Sequence, residues 1–406
     1  MVFDICVIGG GAAGMMAAIT AKQANKNLNI AIIERLDRVG KKIALTGNGR
    51  CNITNKNTTE ENYYGSAPQF CLPFFKRFSV NDTCRFFDEI GVPVIFEGDK
   101  GYPRSLQAAS VVDALRFRAD QLGIKTIFET TVTDIKQKGN GFCLYSADKS
   151  FSAKAVIVTT GLLSGGIKLG CDGKGLEILN KLGARSARVS PAIVQLKTDT
   201  DFVRQLKGIK IDATVSLIRG GKLIKSDFGE TLFCDYGLSG PPVLQLSGHA
   251  KNGDEIKLDL MSEYEFDELY SLLKNRKKAL ISRKNDEFLS GLINKRLGQV
   301  IIKRAGISLG DEVKNLSDAD LKKICSVAKA FGCSVLGNTG FNNSQASMGG
   351  LYTDQFDCES LMYKKMPGLF AAGEILDITG DCGGFNLQWA WSSGYAAAMG
   401  AVEFLG

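Results

Sequence analysis

The stretch Asp4–Gly14, DICVIGGGAAG, decides how the rest of the chain is read. Asp4–Ile8 reads as a short apolar strand, and Gly9, Gly11 and Gly14 give the spacing G-x-G-x-x-G. An Ala-rich helix, Met15–Gln23, follows, and a second strand, Leu28–Ile33, ends on Glu34. A nucleotide-binding βαβ unit needs these parts in this order. Gly9 permits the tight turn, Gly11 lets a pyrophosphate approach the backbone, and Gly14 lets the helix lie close to the strand. The Glu34 carboxylate then accepts hydrogen bonds from ribose hydroxyls. The glycine spacing alone is a weak signal, but strand, turn, helix, strand and acid in succession are a strong one.

A second signal lies near the other end, in GLFAAGEILDITGDCGGFNLQWAWSSG, Gly368–Gly394. It predicts a buried strand (Leu369–Ala372), a Gly-acid turn (Gly373, Glu374), a Gly-rich loop (380–384) and an apolar helix. A strand that feeds a helix through glycines suits a phosphate or polyol on the helix N-terminus. The two ends together point to one ligand, FAD. Between them, Arg35–Asn52 is dense in Gly, Asn, Lys and Arg, as suits a segment lying along a dinucleotide. The buried strand Ala155–Val158 runs into Thr159, Thr160 and Gly161, a further turn suited to meeting the cofactor.

Composition excludes several classes. The chain has 406 residues, 44% of them hydrophobic and 23% charged, the balance of a soluble globular protein with a real core. No apolar run approaches the ~18 residues of a membrane span, and MVFDICVIGGG lacks a basic leader, so a cytoplasmic protein is expected. Eleven scattered cysteines without a C-x-x-C pair argue against a metal site and a redox disulfide, and fit reduced thiols. Cys51 and Cys382 fall in the motif regions and are read as packing residues. The one histidine, His249, excludes a His dyad or triad. The net charge of +7 suits anionic small molecules. The basic run Asn275–Lys284, NRKKALISRK, is read as a solvated helix face, since no aromatic residue interleaves it as on an RNA-binding surface.

Periodicity predicts helices over 81–90 and 108–122 and strands over 125–129, 132–137 and 142–145. From Pro191 the pattern turns to alternating segments, then to charged helices. The expected fold is α/β: a Rossmann-like FAD-binding domain interrupted by an inserted β-barrel plus helical domain. Its parts are 1–190 (FAD domain, first part), 191–262 (barrel), 263–330 (helical), 331–344 (a strand returning to the barrel) and 345–406 (FAD domain, second part).

Five segments resemble a known family, the BaiN-type or aminoacetone-oxidase-type NAD(P)/FAD-dependent oxidoreductases, bacterial flavoproteins of two-dinucleotide-binding-domain type. They are IGGGAAGMMAA, GKKIALTGNGRCNITN (Gly40–Asn55), KGYPRSLQAASVVDAL (Lys100–Leu115), FCDYGLSGPPVLQLS (Phe233–Ser247) and the C-terminal run. The resemblance spans nearly the whole chain and implies non-covalent FAD, with NAD(P)H as a transient electron donor. It places Gly9, Gly11, Ala12, Ala13 and Gly14 at the pyrophosphate and Glu34 at the ribose, with Arg35 beside it. It also implies that Lys42, Thr46, Gly47, Arg50, Cys51 and Asn52 line the cofactor path and that Val132 brackets the adenine. Gly373 and Glu374 would meet the ribityl-phosphate, and Gly384, Phe385, Asn386 and Leu387 the isoalloxazine. One departure stands out: relatives carry a Tyr-Pro in the loop that here runs Thr160–Gly173, so no relative's substrate is borrowed.

The expected activity is transfer of hydride through the flavin to an enone-type C=C bond of a small molecule. The alternatives are an amine oxidase using O2 and a flavin-binding module docked on RNA or ribosomes. Tyr236 and Asp377 are the candidate proton donors, alongside a cysteine or water. No metal, membrane or nucleic-acid partner is expected, and oligomeric state is left open.

Overall fold

Ile5, Cys6 and Val7 put apolar side chains on both faces of one strand, which suits only a strand covered on both sides. All three are fully buried in the computed structural model, which describes residues 1–406. The chain forms two compact units, Met1–Ala192 with Phe341–Gly406, and Ile193–Gly340.

In the first unit, β1 (Val2–Ile8), α1 (Ala12–Ala24) and β2 (Ile30–Ile33) build the βαβ unit. Small strands and helices follow: β3 (Thr54–Asn55), β4 (Tyr63–Tyr64), α2 (Leu72–Arg77), α3 (Val80–Glu89), β5 (Val94–Glu97), β6 (Lys100–Pro103) and α4 (Ala108–Gln121). Then come β7 (Lys125–Ile127), β8 (Asp134–Lys138), β9 (Gly141–Tyr145), β10 (Ser150–Val158), α5 (Lys174–Lys181) and β11 (Ser186–Ala192). After the second unit the chain returns with β18 (Ala346–Leu351), β19 (Leu369–Ala371), β20 (Thr379–Gly380) and α10 (Phe385–Leu405).

The main sheet has the order β7-β2-β1-β10-β9-β8, with β19 also paired to β10. β7, β2, β1, β10 and β19 run parallel, and β9 and β8 form an antiparallel edge. α10 is apolar on all sides, as a helix buried all round must be, and lies against α1 so closely that a Cβ on Gly394 would stand 2.5 Å from the Ala13 carbonyl oxygen. Its two indoles are tethered: Trp389 donates to the Gly373 carbonyl (3.2 Å) and Trp391 to that of Ile53 (3.0 Å). No helix is long and apolar enough to cross a membrane.

The second unit is a closed barrel of β12 (Leu196–Thr198), β13 (Lys210–Arg219), β14 (Lys222–Phe233), β15 (Gly237–Ser239), β16 (Glu255–Asp259) and β17 (Phe331–Asn338), in the order β12-β15-β14-β13-β16-β17. It also holds α6 (Pro241–Ser247), α7 (Phe266–Ala279), α8 (Lys295–Arg304) and α9 (Asp318–Lys329), which share one apolar core with the barrel. The basic run Asn275–Lys284 is a solvated face in part: Lys278, Arg283 and Lys284 are exposed, while Arg276 and Lys277 reach loop backbone. Arg276 donates to the carbonyls of Phe288 and Ser290, Lys277 to that of Leu316, and Arg283 pairs with Glu287 at 2.9 Å. Arg276 and Lys277 thereby hold the ends of nearby loops by satisfying their carbonyls.

Candidate functional site

The turn after β1 is built by close approach. A Cβ on Gly9 would stand 2.9 Å from the Thr159 carbonyl oxygen, and one on Gly14 only 1.9 Å from that of Gly9. Gly11 has nothing within 4 Å of its missing Cβ, so its open side is left to a ligand. α1 has no side-chain cap, and its first N–H groups, in the turn of Ala12 and Ala13, are available to an anion. Glu34 is buried: one carboxylate oxygen accepts from Gly10 N–H (2.7 Å) and the other from Leu36 N–H (2.9 Å). It therefore ties the end of β2 to the glycine turn.

One cavity begins at this turn. Gly9, Gly11, Ala12, Ala13, Glu34 and Arg35 line one part of it; Lys42, Thr46 and Val132 another; Thr160, Gly161, Gly373, Glu374, Asn386 and Leu387 the rest. Seven of the cofactor-binding residues named from sequence do not line it. Gly14 is spent on helix packing. Gly47 and Cys51, at φ +58 and +57, form a left-handed turn closed by Cys51 N–H to the Thr46 carbonyl (3.0 Å). Arg50 turns away to pair with Glu97 and lies 4.3 Å from the Tyr102 ring centroid. Asn52 is buried behind Gly384, the residue before α10, with its side-chain oxygen unpartnered. Phe385 is buried, and its carbonyl accepts from the Tyr63 hydroxyl at 3.0 Å.

Arg38, in the segment read as lying along the dinucleotide, and Cys171 and Asp172, in the Thr160–Gly173 loop, also line the cavity, and the sequence reading missed Thr130, Gly175 and Ala346. A usable signal was present in Asp172-Gly173-Lys174-Gly175, another glycine turn feeding a helix. A Cβ on Gly175 would stand 1.9 Å from the Thr160 hydroxyl oxygen, so α5 packs directly on the loop after β10.

Lys42 and Glu374, far apart in sequence, form an ion pair of 2.6 Å in the cavity wall. Ser164 donates to Glu374 Oε1 at 2.5 Å, the Ser347 N–H donates to the same oxygen at 2.8 Å, and Lys42 also reaches Ser164. Burial alone would lower the Lys42 pKa, but the facing Glu374 carboxylate outweighs it and the net direction is up. Lys42 thus stays protonated at neutral pH as one half of an ion pair with Glu374. Burial pushes the Cys51 thiol up to about 12, so it is a packing residue and no thiolate nucleophile. None of the eleven cysteines forms a disulfide.

The two candidate proton donors fare differently. Asp377 is buried and outside the cavity; its Oδ2 accepts from the Ser66 N–H (2.9 Å) and hydroxyl (2.6 Å). An acid held by two donors at a loop anchor is structural, which corrects the expectation for Asp377. Asp377→Ala is expected to lower stability by about 1–3 kcal/mol through the freed Ser66 donors, without altering the protein's visible spectrum. Urea unfolding with absorbance checks this. Tyr236 belongs to the second unit; burial first, and then Cys234, push its hydroxyl pKa up, so the phenol keeps its proton.

Residues 3–400 match the model of the HI0933-like protein Rossmann domain. The chain belongs to this family. The HI0933-like chain is 32% identical over 405 residues to a 3-dehydro-bile acid delta(4,6)-reductase of Clostridium scindens, covering 98% of this chain and 99% of that one. It is 28% identical over 400 residues to a ribosomal RNA dihydrouridine synthase of Haemophilus influenzae, covering 97% of each. Among solved structures, a flavocytochrome c3 fumarate reductase in its open conformation shares the fold, with a TM-score of 0.50 at 14% identity over 99% of this chain and 78% of that one. This HI0933-like protein is an FAD-dependent oxidoreductase with a Rossmann-type fold and a closed barrel. Its residues fit the cofactor: the open side of Gly11 and the uncapped start of α1 leave room and free N–H donors for polar ligand atoms.

Proposed function

We propose that the protein is a reductase that saturates a C=C bond conjugated to a carbonyl, using non-covalent FAD and taking electrons from transiently bound NAD(P)H. FAD supplies hydride at its ring when bound. The observation that carries the reading is the single cavity reaching from the Gly9–Gly14 turn to the start of α10, in a chain with one dinucleotide fingerprint. One resident dinucleotide leaves a nicotinamide donor to visit and depart. In this reading the cofactor pyrophosphate lies at Gly11 and α1, Glu34 serves the ribose, and the Lys42–Glu374 pair walls the path between them.

The relatives' names support a reductase over an amine oxidase. One names a reductase of an unsaturated bile acid; the other names the making of dihydrouridine, a uracil ring whose C=C bond next to a carbonyl has been saturated. Both describe one bond type. Reduction adds a hydride and a proton across it, and Tyr236 is the chain's own candidate for the proton. A small-molecule enone is the first substrate class and a cytoplasmic setting goes with it. The Haemophilus relative favours a uracil ring in RNA as the second. The run Asn275–Lys284, in which Arg276 and Lys277 are taken by loop carbonyls and no aromatic residue interleaves, does not add to it.

The test is anaerobic. NADH or NADPH should bleach the yellow protein, and a steroid enone or a uridine-containing transcript should restore the colour, with two hydrogens added to the product by mass. Bleaching by amines alone, with peroxide formed in air, would overturn the proposal.

A further inference from the structure

In the main sheet β1 lies between β2 and β10, all three parallel, so the glycine turn after β1 is flanked by the segments that leave its two neighbours. Glu34, Arg35 and Leu36 follow β2; Thr160–Gly173 follows β10 and leads into α5. The two segments meet. Arg35 forms an ion pair with Asp172, and a Cβ on Gly170 would stand 3.0 Å from Leu36 Cδ1 and 3.5 Å from Arg35 Cδ. The loop after β10 therefore crosses over the Gly9–Gly14 turn, and its residues Leu169–Asp172 line the cavity that it covers.

This loop has a fixed root and a loose span. At the root Leu162 is fully buried, and the Ser164 N–H donates to Ser347 Oγ at 3.1 Å and its hydroxyl to Glu374 Oε1 at 2.5 Å. The Gly165 N–H donates to the Phe341 carbonyl at 2.8 Å. Beyond Gly166 these ties end. The N–H groups of Leu169, Gly170 and Cys171 donate back to Gly166 and Ile167 carbonyls, and Asp172 Oδ1 accepts from the Lys174 N–H at 3.1 Å. The hydrogen bonds of Ile167–Asp172 thus close within 166–174, and Ile167 is left 70% exposed. Glycines in the left-handed region, Gly166 (φ +70) and Gly173 (φ +76), bound the span, as suits a hinge at each end. Its polar tie to the β2 side is the Arg35–Asp172 pair. That pair holds by charge alone, because the buried Arg35 Nη1 meets no acceptor in hydrogen-bond geometry.

We infer that Ile167–Asp172 is a strap that swings aside to admit and release the dinucleotide, with the Arg35–Asp172 pair as its latch. The inference rests on the reading of a non-covalent FAD in this cavity. A latch between two parts of the chain speeds entry and exit alike when it is broken, and leaves the equilibrium affinity where it was. A side chain that binds the cofactor directly slows nothing on entry and loses affinity when it is removed. Because the latch is an ion pair open to solvent at its edge, salt weakens it.

The test follows FAD exchange in the flavin-loaded full chain, mixed with an excess of a chlorinated FAD analogue of shifted absorbance. Equilibrium dialysis gives the affinity of each variant. Asp172→Asn removes the charge and keeps the acceptor for the Lys174 N–H; it should exchange about threefold to fivefold faster than wild type at low salt, with unchanged affinity. Added salt should speed the wild type more than this variant. Gly170→Ala loosens the same seat without touching the charge, and should exchange faster while keeping the wild-type response to salt. Unchanged or slower exchange in either variant, or faster exchange matched by equally weaker binding, overturns the inference. Flavin that stays with the urea-unfolded chain would reject the non-covalent reading, and the strap with it; exchange at one rate in all three proteins would reject the strap alone.

Discussion

Gly14→Ala is expected to purify without yellow colour. Position 14 lies in the first turn of α1, where alanine ordinarily favours a helix over glycine. Here the added methyl would stand 1.9 Å from the Gly9 carbonyl oxygen and 2.6 Å from the Thr159 hydroxyl oxygen. Neither obstacle is a flexible chain end. Gly9 is the tight turn itself, and Thr159 holds that turn through hydrogen bonds to the Ile8 (3.0 Å) and Gly9 (2.9 Å) carbonyls. Helix and turn must therefore part, at about 1–3 kcal/mol, and the N–H groups that would meet the pyrophosphate move with them. A loss of FAD affinity of about a hundredfold is expected, read by equilibrium dialysis against free FAD. Wild-type affinity would show that the α1 packing does not set the phosphate site. Gly11→Ala, which meets no atom within 4 Å of its Cβ, is the informative contrast. It should fold as the wild type does and lose affinity only through the ligand it blocks.

The second large effect is at Glu374. Replacing it by alanine removes the carboxylate that holds Lys42, Ser164 and the Ser347 N–H together. The Lys42 side chain is 28% exposed, so it is left as a largely desolvated charge without its partner. Breaking such a pair costs about 3 kcal/mol, the low end of the range for fully buried pairs. The double variant Lys42→Met with Glu374→Ala should recover most of this, because no orphan charge remains. Urea unfolding of the wild type, single and double variants checks the cycle. A double variant no more stable than Glu374→Ala would show that hydrogen bonds, and not the charge, carry the effect. The pH dependence has a definite sign. The folded Lys42 pKa lies above its ordinary value, so the pair's contribution is complete below pH ~10.4 and falls only as the pH rises through the folded value. Stability differences between wild type and Glu374→Gln should be flat from neutral pH to about pH 9 and shrink beyond pH ~10.4.

What the sequence shows and what it hides follow from the range of the forces involved. The βαβ unit, the Glu34 tie and the apolar α10 are legible because each is written in local periodicity and spacing. The barrel is partly legible. β14 reads as two short segments, 222–224 and 230–233, because the intervening Lys225–Gly229 is polar. In the fold it is paired with β13 on both sides of a bulge at Ile224, the pairing of Ser226 with Ser216 and Phe228 with Thr214 bridging the gap. The charged groups are where local reading fails. Arg50 sits in a motif aimed at the cofactor, yet Glu97, 47 residues on, draws it away. Asp377 stands among glycines like a catalytic acid, yet Ser66 occupies it from 311 residues distant. A Coulomb partner or a hydrogen-bond donor chosen by tertiary packing leaves no periodic trace. Lys42 and Glu374 show the reverse, two motif residues from opposite ends of the chain that the fold makes one unit.

The antiparallel pairing of β11 with β18 has a consequence for the order in which the protein is made. Ala192, where the chain leaves the first unit, is the register partner of Ala346, close to where it returns. Synthesis runs from the N-terminus, so the whole barrel-and-helix unit is complete before β18, β19 and α10 exist. Until then the first unit lacks the helix that covers α1 and the turn of Gly373 and Glu374 that closes the cavity. The inserted unit, with both of its ends and its own apolar core already made, is free to fold first. The nascent first unit meanwhile exposes the apolar faces of α1 and β10, and it gains a complete ligand cavity only when the returning segment arrives. Completion of the cavity is thereby tied to the arrival of the returning segment, after the inserted unit has been made.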